Sequence, residues 1–267
     1  MKICVLNGSP KGDEGTTVQY ARYIEKKIPG NEYVYFNVAS DIRKIENDQQ
    51  AFESIMDEVK ASDCVIWAFP LYVLLVHAHY KRFIELIWER NRQDAFCGKY
   101  TALIAASIHF YDNTAINYMH AVCDDLDMQY TGYYSADMED FMDEKKRGEL
   151  LVFARNLFDA SAEKTEMIKR YVPACEAMIN YTPSNVDALD MQGQKVLVLT
   201  DSTDTNQNIG KMVERFASLT QAEVIDISKI KILASCLGCI KCGFDNDCVF
   251  HGKEERVNNS GLKPLSL

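Results

Sequence analysis

No apolar run in the chain is long enough to cross a bilayer. The longest, residues 64–76, has thirteen residues and contains Pro70, against about 20 for a spanning helix. It reads as a buried strand entering a loop, and no membrane association is expected. No export leader is expected either. After Met1-Lys2 only residues 3–6 are apolar before Asn7-Gly8, too few for a secretory signal, which implies a cytoplasmic protein. Positive charge is scarce: 29 Lys and Arg stand against 39 Asp and Glu, a net charge of −10. That sign repels phosphate backbones and argues against nucleic acid as the main partner. Neither G-x-x-x-x-G-K-[ST] nor G-x-G-x-x-G occurs, so the nucleotide loops those patterns build are absent.

What is present is ordinary globular material. Of 267 residues 47% are hydrophobic and 25% charged, enough for a real core and long enough for two domains. Residues 2–7 form an apolar run without polar alternation, as expected for a strand covered on both faces. Similar runs at 33–38, 64–69, 100–106 and 130–134 predict four more strands. Between them helical spacing recurs: Val18, Tyr20, Ala21, Ile24 and Ile28, then 52–59, about 77–90, and 114–126. A last helix is expected from about Met138, with Leu150, Phe153, Ala154, Leu157 and Phe158 on one face. Alternating strands and helices predict an α/β fold, a doubly wound five-stranded parallel sheet over residues 1–169.

Periodicity fades over 170–194, where Pro173, Pro183, Ser184 and Gly193 mark a linker. Lys195-Val196-Leu197-Val198-Leu199-Thr200-Asp201-Ser202 then resembles residues 2–9, and a helical stretch and a strand at 223–227 follow. Residues 195–267 are too few to repeat the first domain. The expectation is a partial, truncated second α/β unit.

Three loops carry candidate chemistry. Gly8-Ser9-Pro10-Lys11 through Gly15-Thr16-Thr17 joins the first strand to a helix. Glycines there admit a phosphate close to the backbone, a helix N-terminus offers free N–H groups, and hydroxyls add donors. Asp13 and Glu14 oppose an anion unless they face solvent. Pro70-Leu71-Tyr72 ends the third strand, where open α/β sheets with order 2-1-3-4-5 change winding direction and bind ligands; flavodoxin with FMN is the standing example of that rule. Ser107-Ile108-His109-Phe110 follows the fourth strand and forms the other wall. His109 is a candidate proton donor, but a lone loop histidine is more often structural, and no side chain is assigned as acid or base.

With these loops in place the chain resembles the flavodoxin-like NAD(P)H-dependent FMN reductases and iron-sulfur flavoproteins. Gly8-Ser9-Pro10-Lys11 with Gly15-Thr16-Thr17 looks like their FMN-phosphate loop. Phe69-Pro70-Leu71-Tyr72 looks like their ring-binding loop, and Tyr80-Lys81-Arg82-Phe83-Ile84-Glu85 like the helix that follows it. The resemblance covers about residues 1–165, and 195–250 in the partial repeat. It implies Ser9, Lys11, Gly15, Thr16 and Thr17 at the phosphate, and Pro70, Leu71, Tyr72, Ser107 and Ile108 at the ring. It implies FMN as cofactor, NAD(P)H as donor, a small-molecule or protein electron acceptor, and a homo-oligomer. Two features depart from the family: bulky Val73-Leu74-Leu75 after the loop tyrosine, and no cysteine in residues 37–62.

Of nine cysteines, Cys4, Cys64, Cys97, Cys123 and Cys175 lie scattered among apolar residues and read as small buried hydrophobes. The other four, Cys236, Cys239, Cys242 and Cys248, form C-x2-C-x2-C-x5-C. Four thiolates so close together suit one cluster. Structural zinc more often takes two separated knuckles. Spacing and resemblance together favour [4Fe–4S], with zinc or no metal as alternatives. The functional expectation is an FMN-dependent oxidoreductase passing electrons from NAD(P)H to an acceptor. The alternatives are a non-enzymatic electron carrier, or a flavin-free protein with a structural metal site.

Overall fold

The computed structural model describes residues 1–137, 139–171, 184–230, 238–245 and 248–249. The chain divides into two compact units, Met1–Cys175 and Glu176–Leu267.

In the first unit β1 (Lys2–Asn7), α1 (Thr16–Lys27), β2 (Glu32–Phe36), α2 (Ile42–Asn47), α3 (Gln49–Ala61), β3 (Cys64–Tyr72), β4 (Leu75–Val76), α4 (Ala78–Glu89), β5 (Tyr100–Ala106), α5 (Asp112–Asp125), β6 (Gln129–Ala136) and α6 (Glu144–Glu163) follow in order. The five long strands pair in parallel as β2-β1-β3-β5-β6. This is the 2-1-3-4-5 order read from the sequence, the short β4 accounting for the shifted numbers.

Alternation along the strands feeds two cores. Ile3, Val5, Ile66, Ala102 and Ile104 meet Tyr20, Ala21 and Ile24 of α1 and Leu150, Ala154 and Leu157 of α6. Cys4, Leu6, Val65, Trp67 and Leu103 meet α2 to α5 on the other face through Ile45, Phe52, Met56, Phe83, Ile87 and Met119. Trp67 is fully buried, stacked on Phe96 at 5.5 Å and edge-on to Tyr80 at 6.0 Å. Truncating so large a core side chain costs about 3–5 kcal/mol.

Three elements differ from the sequence expectation. β3 does not stop at Pro70. Pro70 still sits opposite Ala106 of β5, and Leu71 and Tyr72 then pair antiparallel with Val76 and Leu75, so the chain folds back as a hairpin. α6 begins at Glu144 rather than near Met138: Asp143 caps it, its Oδ1 accepting from the backbone N–H groups of Lys145 and Lys146 at 2.7 and 3.4 Å. The short helix α2 had no clear periodicity in the sequence, and only Ile42 and Ile45 of it are buried.

In the second unit β7 (Leu197–Thr200), α7 (Asn208–Thr220) and β8 (Glu223–Asp226) form a β–α–β unit with parallel pairing of Leu197–Thr200 to Glu223–Asp226. A single turn, α8 (Cys242–Asp245), follows. Part of the expected linker, residues 172–183, lies outside the described residues. Among those residues no helix is long and apolar enough to cross a membrane.

Candidate functional site

The chain after β1, after β3 and after β5 leaves the sheet at its carboxyl edge. α1 packs on one face and α4 on the other, so the winding direction changes between β1 and β3, where an open sheet leaves a crevice.

The loop after β1 is organised by Asn7, which is fully buried. Its Nδ2 donates to the Gly12 carbonyl and to Asn37 Oδ1, each at 2.8 Å, and its Oδ1 accepts the Ser9 N–H at 3.0 Å. Ser9 Oγ in turn accepts the Lys11 N–H at 3.2 Å. A Cβ on Gly15 would stand 2.5 Å from Ser9 Cβ and Oγ, so nothing larger than glycine fits. Gly8 is similarly confined: a Cβ would meet the Tyr80 ring at 2.7 Å. That ring is fixed by its hydroxyl donating to the Leu6 carbonyl at 2.8 Å, and burial pushes the phenol well above its usual pKa.

Gly15 caps α1 without any side-chain hydrogen bond, which leaves first-turn N–H groups without helical partners. Beside them Thr17 is fully buried, and its Oγ1 has no hydrogen-bond partner among the described residues. Buried hydroxyls normally find one. This unpartnered donor above a glycine-lined turn suits a phosphate. Thr16 and Lys11 are exposed at the same loop. Asp13 and Glu14 are exposed as well, and Asp13 is paired with Arg22 at 2.7 Å, which keeps its carboxylate occupied outside the turn.

Pro70, Leu71 and Tyr72 are half-buried at the next wall. The Tyr72 ring meets His77 edge-on at 4.8 Å. His77 is buried and caps α4, its Nδ1 accepting the His79 N–H at 3.2 Å. At the hairpin tip Val73 is 91% exposed with φ of 55°, an unusual backbone for a β-branched residue.

On the third wall Ser107 is half-buried, its N–H donating to the Ala136 carbonyl at 2.9 Å, and Ile108 is exposed. His109 and Tyr111 both take left-handed backbone, at 56° and 53°. The His109 N–H donates to Ser107 Oγ at 3.0 Å. Asp112 Oδ2 receives the Ser135 hydroxyl at 2.7 Å and lies 3.3 Å from His109 Nδ1. Partial burial opposes the Asp112 charge, but the Ser135 and His109 hydrogen bonds prevail and hold its carboxyl below the usual range.

Each candidate residue read from the sequence thus lies at a common edge, Ser9, Lys11, Gly15, Ser107 and Ile108 in loops, Thr16 and Thr17 in the first turn of α1, and Pro70, Leu71 and Tyr72 at the end of β3. Asn7, Asn37, Tyr80, His77, Asp112 and Ser135 were missed. Only Asn7 carried a signal, as an amide closing an otherwise apolar strand. An open cleft of ≈ 560 Å³ lies at the opposite, amino edge, lined by Ser62, Asp63, Lys99, Tyr100 and Gln129 among others, and includes none of these loops.

Cys239, Cys242 and Cys248 are exposed free thiols, and Cys236 lies outside the described residues. Among those residues no three His, Cys, Asp or Glu side chains gather as a metal site. Cys4, Cys64 and Cys123 are buried; burial raises all three thiols, Cys64 to about 11. Cys97 corrects the expectation of a buried hydrophobe. It sits exposed in a turn, its thiol 3.1 Å from Asp127 Oδ2. Cys175 lies outside the described residues.

Two of the solved structures that resemble the chain share its fold over most of the first unit. One is an oxidoreductase from Corynebacterium diphtheriae, at 16% identity and a TM-score of 0.51, covering 61% of this chain and 98% of that one. The other is an NADH:FMN oxidoreductase in its apo form, at 16% identity and a TM-score of 0.51, covering 66% of this chain and 99% of that one. Similarity at that level speaks to fold alone. No curated protein matches. The model of the flavodoxin-like fold family matches residues 1–151, more than half of the 267, in agreement with the strand order and the carboxyl-edge crevice, and the chain belongs to that family.

Proposed function

We propose that the first unit binds FMN and that the chain is an NAD(P)H-dependent flavin oxidoreductase. The observation that carries this reading is the buried, unpartnered Thr17 hydroxyl beside the uncapped start of α1, over a turn that excludes any side chain at Gly15. The NADH:FMN oxidoreductase among the similar structures points the same way.

The residues present fit the cofactor. Ser9, Lys11, Gly15, Thr16 and Thr17 would hold the phosphate, using backbone N–H groups and hydroxyls rather than bulk positive charge. Pro70, Leu71, Tyr72, Ser107 and Ile108 would border the ring. When bound, FMN supplies hydride acceptance from a reduced nicotinamide and onward transfer of one or two electrons. The chain's part is to fix the ring between two loops whose backbones are locked by the β3–β4 hairpin and by Ser107 and Asp112.

The C-x2-C-x2-C-x5-C motif is kept as a proposed [4Fe–4S] site, with zinc as the lesser alternative. Its support is spacing, and no electron path is drawn through it.

An absorption spectrum of anaerobically purified protein, with iron and zinc assayed on the same sample, tests these readings. The expected result is a two-band flavin spectrum, restored by added FMN if lost, together with steady-state NADH or NADPH oxidation. Flavin without nicotinamide oxidation points to an electron carrier. Failure to bind FMN overturns the proposal.

A further inference from the structure

After α6 the chain does not leave the first unit at once. Residues 165–171 run back along α5 from its C-terminal end. The Tyr100 hydroxyl donates to the Thr165 carbonyl at 3.0 Å, the Met167 N–H donates to Gln129 Oε1 at 2.8 Å, and Lys169 pairs with Asp127. Further along, the Arg170 and Tyr171 N–H groups both donate to Asp124 Oδ2, at 2.9 and 2.8 Å. Asp124 is only 1% exposed. A carboxylate buried that deeply needs hydrogen bonds, and both of these come from the returning segment.

Under the same segment lies His120, one turn before Asp124 on α5. Its ring stacks on Tyr130 of β6 with centroids 3.8 Å apart and meets the Tyr171 ring edge-on at 5.4 Å. Nε2 is buried 3.6 Å from Asp124 Oδ2, too far for a hydrogen bond, and has no other partner among the described residues. The charged groups facing the imidazole are Asp124 on its own helix and Arg170 on the segment, whose guanidinium lies over the Tyr171 ring at 5.5 Å. From β6 it is faced by the Tyr130 phenol, which burial raises far above neutrality. Burial lowers the imidazole pKa below the usual 6.5; Asp124 opposes this without prevailing, and Arg170 adds to it.

We propose that residues 165–171 are an acid-released strap, closed over Asp124 and His120 at neutral pH and lifted when His120 takes a proton, which sets how much free chain precedes the second unit. The flavin reading plays no part in it. With the strap lifted the imidazole stands in water and holds a proton more readily than when covered. The lifted form therefore binds more protons as pH falls. The closed form keeps its full advantage above pH 6.5 and loses it as pH drops through and below that value. At pH 5.5, one unit lower, protonation of the lifted form shifts the equilibrium by at most about tenfold. Lifting residues 165–171 adds about 24 Å of extended chain to the connection.

Hydrogen exchange read by NMR on the full chain tests this at the Arg170 and Tyr171 amides. Corrected for the intrinsic pH dependence of exchange, their protection should fall about three- to tenfold between pH 7.5 and 5.5. The Leu126 amide, which donates to the Val122 carbonyl at 3.0 Å within α5, should hold within about twofold. H120Q cannot take a proton and should show no such fall. In the unmodified chain the His120 ring protons should titrate with a midpoint below pH 6.5. Equal protection at the two pH values, a fall that persists in H120Q, or a midpoint at or above 6.5 overturns the inference. The titration and the first comparison use the unmodified chain, so they decide the matter even where H120Q fails to fold.

Discussion

Replacing Thr17 by valine separates ligand binding from stability in opposite directions. Valine keeps the shape and β-branching of threonine and removes only the hydroxyl. In the free chain that hydroxyl is buried without a partner, and burying an unpaired polar group costs about 1–3 kcal/mol. T17V should therefore be as stable as the unmodified chain or more so, by about 1 kcal/mol, a rise of roughly 2–4 °C in Tm for a unit of this size. With FMN the sign reverses. A hydrogen bond to a charged group is worth about 1.5–3 kcal/mol, and each 1.4 kcal/mol is tenfold in affinity. FMN should bind about 10- to 100-fold more weakly. Riboflavin, which lacks the phosphate, should bind both proteins equally. Fluorescence quenching with each flavin gives the Kd values, and differential scanning calorimetry without ligand gives the Tm. A riboflavin Kd that worsens as much as that of FMN would move Thr17 away from the phosphate. An unchanged FMN Kd would refute the role altogether.

Three further outcomes follow from the same geometry. G15A places a Cβ 2.5 Å from Ser9, and overpacking of that kind costs about 1–3 kcal/mol. Chemical denaturation should show this loss, and FMN titration a larger fall in affinity than T17V gives. D48A removes the cap of α3, whose carboxylate accepts from the Gln50 and Ala51 N–H groups at 2.9 and 3.2 Å. It should cost about 1 kcal/mol in denaturation and leave the FMN Kd unchanged, since it lies off the crevice. Asp112 is held below its usual carboxyl value of 3.8, so its contribution to stability is present above that pH and lost as pH falls through the folded value. The Tm difference between the unmodified chain and D112N should therefore be steady near neutrality and close below pH 3.8; a difference that widens on acidification would contradict the assignment.

The sequence by itself determined the layers and their order of appearance. Burial on both sheet faces leaves strands as short apolar runs, and helices facing a sheet repeat every three to four residues, so β1, β3, β5, α4 and the buried face of α6 are all legible locally. The glycine-and-hydroxyl loop after β1 was legible for the same reason, because its chemistry lies within ten residues. Only the tertiary structure decided the rest. Parallel pairing brings Ser107 to the edge that also holds Gly8 and Pro70, though 99 and 37 residues separate it from them in the chain. The phase of α1 turns Thr17 inward and Thr16 outward, which two adjacent threonines do not reveal. The fold-back past Pro70 depends on Leu71 and Tyr72 finding β4. The Asp112–Ser135 contact joins the start of one helix to the end of the following strand. Nothing in either segment marks the other as its partner, because a hydrogen bond across a sheet edge is set by register and crossover handedness, and those exist only once the chain has folded.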